Sequence, residues 1–194
     1  MVDDEAERRA TEAIAAANAG DPERVVVDGS DRSLQAALGE VAATWVDRLD
    51  PSATAAQRLA ARAHHLRRWE RPRADYTEGR AGYLRWRRDA KARHAEDLTA
   101  LLEAERVDAA TVAEAARLVR KEGGDVAAQV HEDAVCLAFL TLQLDAVAGD
   151  LGETRAAEVL RRTVAKMSPA GREAAAGLPL SAGGRRLLEA ALVG

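Results

Sequence analysis

A chain of 194 residues, 47% hydrophobic and 31% charged, suits one compact domain whose core needs no metal or disulfide staple. That composition excludes a disordered chain, and a single cysteine excludes an intrachain disulfide framework. A net charge of −4 argues against bulk nucleic-acid binding. The charged start MVDDEAERRA is unlike a signal peptide, and no apolar run reaches membrane-span length, so a soluble cytoplasmic protein is expected.

The alanine-rich chain, only 3% aromatic, favours helix over sheet. Residues 3–19 predict a first helix that closes on Gly20, with Asp21-Pro22 as a turn. Val25-Val26-Val27 is too short a run to count as a strand. Residues 31–49 place Leu34, Leu38, Val41, Trp45 and Leu49 at three- and four-residue steps, an amphipathic helix ended by Asp50-Pro51. Thr54-Ala-Ala-Gln57 reads as a capping box opening a helix that carries His64 and His65. Residues 70–82, with Pro72, Gly79 and Gly82, read as loop. A long helix from about Tyr83 to Glu105 follows. Asp108 and Asp125 cap two more, the second running through VHEDAVCLAFLTLQL to about Ala148 and apolar nearly all round, hence central. Ser168-Pro169 and Ser181 start the closing helices. The expectation is an all-α, single-domain bundle of about seven to nine helices over residues 1–194.

Two features carry chemistry. The first is a set of inward-facing polar residues. His94 shares a helix face with Tyr83, Ala90, Leu98 and Leu101, and Asp133 shares one with Val130, Leu137, Leu140 and Leu144. A carboxylate turned into an apolar interior must be paired, protonated or bound to a metal. A histidine, an arginine or a divalent cation is the expected partner of Asp133. Glu132, beside Cys136 and Phe139, is a further candidate, His64 lies nearer the apolar side than His65, and His131 is a supporting or surface group. Histidines and carboxylates from three helices suit iron, manganese or zinc, although no compact ligand motif, P-loop or nucleophile motif occurs.

The second feature is a basic segment. Between Arg62 and Arg93 eleven basic residues face four acidic ones, in a chain that is acidic overall. Arg67, Arg68, Arg73 and Arg80 flank a loop holding Trp69 and Tyr76, and Arg87 and Lys91 follow on the next helix. Arginine grips phosphate or carboxylate with two parallel bonds, so a small anionic or phosphorylated ligand is favoured over nucleic acid. Trp86 is expected to anchor the loop by hydrophobic contact.

The segments RLAARAHHLRRWERPR, YTEGRAGYLRWR, HAED and HEDAVCLAFL, spanning about residues 58–140, together with KMSPAGREAA, resemble the DUF4202 family. Its pattern favours His65 over His64 as the site residue. RLAARAHHLRRW is also remotely similar to the His-Asp helix of HD-domain proteins, an all-α superfamily of metal-dependent phosphohydrolases with some di-iron oxygenases. Here the doublet is His64-His65, and Leu34 stands near where a first histidine ligand belongs. The resemblance implies a divalent cation (Fe, Mn or Zn) held by His65, His94 and Asp133, with His64 or Glu132. It implies hydrolysis of a small anionic or phosphorylated substrate, or oxidation with iron. The alternative is a non-catalytic anion-, nucleotide- or RNA-binding helical module.

Overall fold

The computed structural model describes residues 4–193. Ten α-helices and one hairpin make up its regular structure, with two single-turn helices at Arg68–Glu70 and Arg73–Asp75. The helices are α1 (Asp4–Asn18), α2 (Leu34–Leu49), α3 (Ala55–Arg62), α4 (Gly79–Ala104), α5 (Ala109–Arg120), α6 (Val126–Leu142), α7 (Leu144–Leu151), α8 (Glu153–Val164), α9 (Pro169–Ala176) and α10 (Ala182–Val193). The all-α class is as expected, and the helix starts follow from local capping. Thr54 and Gln57 form the reciprocal box at α3. Asp108, Asp125 and Ser168 each accept the backbone N–H three residues on.

Two local expectations are corrected. Strand β1 (Arg24–Val27) pairs antiparallel with β2 (Ser30–Ser33) through Asp28-Gly29, both at positive φ. An Asp-Gly pair that adopts left-handed backbone closes a two-residue hairpin, so even a short valine run gains a partner. The apolar helix does not reach Ala148 unbroken. It ends at Gln143, and α7 leaves it at 66°.

Helix α3 is the hub, packed against α1, α2, α5 and α6. Its contact with α2 is backbone-close: a Cβ on Gly39 would stand 2.3 Å from the Arg62 carbonyl oxygen. One core gathers Ile14, Leu59, Leu66, Leu98, Leu102 and Leu118. A second joins Leu137, Leu140, Leu144 and Leu160 from the C-terminal helices, and a third binds α2 to α6. Each fully buried leucine contributes about 1.5–3 kcal/mol. No single helix among the described residues is long and apolar enough to cross a membrane.

Candidate functional site

Helix α3 ends before its histidines. Arg62 is its last residue, and residues 63–67 form a tight turn that closes on Arg67 in left-handed backbone at φ 51°. The buried Asn18 side chain at the end of α1 fixes that turn, accepting the Arg67 backbone N–H at 3.1 Å. His64 and His65 are therefore placed by a turn and not by helical periodicity. His64 is buried and His65 half-buried.

His64 Nδ1–H donates to the Ala61 carbonyl at 2.8 Å, and His94 Nδ1–H, from the middle of α4, donates to the Leu66 carbonyl at 2.7 Å. These bonds assign the proton to Nδ1 and leave the Nε2 lone pair of each ring available. The His64 and His65 ring centroids are 4.3 Å apart, and those of His65 and His94 6.0 Å. His131, on α6, is buried with 2% exposure, and a charge on His64 acts on it. Ring contacts join His64, His65 and His94, and His131 makes none among the described residues.

The cluster is electrically neutral near pH 7. Burial pushes the His64 and His94 imidazoles down to about 4, against the opposing pull of the carbonyls they donate to. Burial, then the charges of Lys121 and His64, push His131 to about 3. Burial and the neighbouring His64, Arg68 and His94 hold His65 well below its ordinary value. His94 Nε2 and both His131 ring nitrogens are buried without a hydrogen-bond partner among the described residues. Each such nitrogen costs about 1–3 kcal/mol unless something meets it.

The carboxylates expected beside these rings are engaged elsewhere. Asp133 is buried, as its helix face predicts, yet among the described residues neither imidazole, arginine nor lysine meets it. Its Oδ1 accepts the Ser168 backbone N–H at 2.9 Å and the Gln129 amide at 3.1 Å, and its Oδ2 accepts the Ser168 hydroxyl at 2.5 Å. Asp133 thus anchors the start of α9. Gly171 gives it room, since a Cβ there would lie 2.6 Å from the Asp133 Cγ. Glu132 accepts from Lys121 Nζ and pairs with Lys166 at 3.7 Å. Burial works to raise its carboxyl, but Lys121, Lys166 and Arg87 outweigh that and hold it low. Among the described residues no three His, Cys, Asp or Glu side chains form a ready-made metal site. The proposed set of His65, His94, Asp133, His64 and Glu132 is thereby divided into a histidine group and two separately paired carboxylates.

Cations border the cluster. Arg68 is half-buried, its charge disfavoured by burial, and its guanidinium lies 4.8 Å from the Trp86 ring centroid. Arg87 lies 5.7 Å from the Tyr83 ring, and its charge is felt at both Arg68 and Glu132. A cleft of about 200 Å³ beside His131 and Glu132 is lined also by Lys121, Gly123, Gly124 and Gln129.

The other expected ligand-binding residues divide by role. Arg73 is not free to grip an anion, because its guanidinium donates to the carbonyls of Tyr76, Thr77 and Gly79. Trp69 packs beside Gly20. Tyr76 lines a separate open cleft of about 330 Å³ with Glu70, Arg71, Asp75 and Arg93. Trp86 holds the loop by a hydrogen bond where hydrophobic contact was expected, its indole N–H donating to the Arg71 carbonyl at 2.9 Å. Arg67 and Arg80 are exposed, and Lys91 is half-buried. His131, Lys121 and Lys166 were not legible as a group. The one signal was Ala127, Ala134 and Ala138, small residues sharing the His131 helix face and marking close packing there.

These features define an all-α protein with a buried neutral histidine cluster under a basic rim. The chain belongs to the DUF4202 family, whose model, described as a domain of unknown function, matches residues 8–188. No curated protein and no solved structure matches it.

Proposed function

We propose that the histidine cluster is the centre of a metal-dependent enzyme acting on a small phosphorylated or otherwise anionic substrate, with hydrolysis as the reaction. The observation that carries this reading is the His94 imidazole. Its Nδ1–H is fixed by the Leu66 carbonyl and its Nε2 is buried without a partner. A backbone-held Nδ1–H opposite a bare Nε2 is the arrangement by which proteins orient a metal-binding histidine. His64 has the same Nδ1 bond, and His65 and His131 complete a set suited to zinc or iron more than manganese. The set is not preassembled, so metal uptake has to draw the rings together. A divalent ion bound there supplies a Lewis acid and an activated water. Arg68 holds the substrate anion over the cluster, and the apolar walls of α3 and α6 exclude bulk water.

Metal analysis of tag-free protein tests this reading. The expected result is about one equivalent of zinc or iron, lost in His94→Ala, and a higher Tm on adding metal back to stripped protein. Less than about a tenth of an equivalent, with no thermal response to Mn, Fe, Co, Ni or Zn, would reject it. A second reading, an anion-binding module without turnover, is favoured by the Arg68 guanidinium, which has no carboxylate partner among the described residues. Salt-sensitive capture of phosphate or nucleotide by metal-free protein would select it.

A further inference from the structure

We infer that the outer face of the first three turns of α4 is a docking surface for single-stranded nucleic acid, beside the basic rim of the histidine pocket and independent of the histidines' chemistry. Helix α4 leaves the core along this stretch. Tyr83 is 44% and Leu84 51% exposed, and Arg80, Arg85, Arg87 and Arg88 are exposed around them. Arg80, Arg85 and Arg87 form no ion pair with any described residue, nor do Arg67 and Arg71 on the preceding turn. Between Arg62 and Arg93 eleven basic residues face four acidic ones in a chain that is acidic overall, which is charge complementarity toward a polyanion.

Helical geometry orders these groups. At 100° and 1.5 Å per residue, Arg80, Arg87 and Lys91 fall within about 20° of one line about 16 Å long. Tyr83 sits beside that line. One side of its ring is covered by Arg87 at 5.7 Å, and the Trp86 ring is 5.9 Å away at 38°. A row of cations alone would suit any acidic partner. An exposed aromatic ring set among unpaired guanidinium groups adds a stacking surface that a base uses and an acidic peptide does not. The net charge of −4 does not oppose this reading, because binding responds to the local field within about 10 Å of the surface.

Anisotropy titration of the full chain with a short labelled oligouridylate tests the proposal, with a polyglutamate peptide of equal length as the competing partner. With about four phosphate contacts, affinity for the oligonucleotide is expected to fall about fiftyfold between roughly 50 and 200 mM salt. Arg80→Glu with Arg87→Glu should abolish binding. Tyr83→Ala should weaken it at least about fivefold with the salt dependence unchanged. All three side chains project into solvent, so an unchanged Tm verifies that the variants fold. Failure to saturate below about 100 µM at low salt would overturn the proposal. So would polyglutamate bound as tightly as the oligonucleotide, or a Tyr83→Ala variant that binds as the parent does.

Discussion

Acid should unfold this protein through its histidines before its carboxylates titrate. In the unfolded chain each imidazole takes up a proton near pH 6.5. In the folded chain His64 and His94 resist protonation down to about pH 4, and His131 to about pH 3. A folded value below the unfolded one means the stability is fully present above pH 6.5 and is lost as pH falls toward the folded values. Each histidine contributes about 1.4 kcal/mol per pH unit within that window, so three together remove roughly 4 kcal/mol between pH 6 and pH 5. His65 acts in the same direction. Against a typical total of 5–15 kcal/mol this brings the transition to about pH 5 for a total near the lower end of that range and to a lower pH otherwise. Urea unfolding measured from pH 7.5 to pH 4.5 reads the slope, and His131→Leu should reduce it by about one proton. A free energy that changes by less than about 1 kcal/mol between pH 7 and pH 5 would refute the buried, neutral cluster.

Two substitutions separate the carboxylate from the histidines. Asp133→Asn places an amide N–H₂ against the Ser168 donors, which should cost about 3 kcal/mol and lower Tm by roughly 10 °C. Metal content, where present, should stay unchanged, and thermal melts with elemental analysis report both. Gly171→Ala should also destabilise, by about 1–3 kcal/mol, because its Cβ would meet the Asp133 Cγ at 2.6 Å. That outweighs the roughly 1 kcal/mol helix preference for alanine, so a stabilised variant would show the contact to be looser than described.

What the sequence determined by itself was local. Thr54 with Gln57, Asp108, Asp125 and Ser168 fixed where helices begin, because a cap needs only residues three positions apart. Periodicity correctly turned Asp133 and His94 inward, since a helix face depends on spacing alone. Asp28-Gly29 held the hairpin signal, and the short valine run concealed it. Tertiary structure decided what those inward groups meet. Ser168 lies thirty-five residues from Asp133 and Leu66 twenty-eight from His94, separations that no local pattern encodes. The turn that follows α3 is likewise held by Asn18 reaching across from α1, and it places His65 beside His94. Local bonding wrote the helices, and the burial of distant faces against one another chose the partners of Asn18, His94 and Asp133.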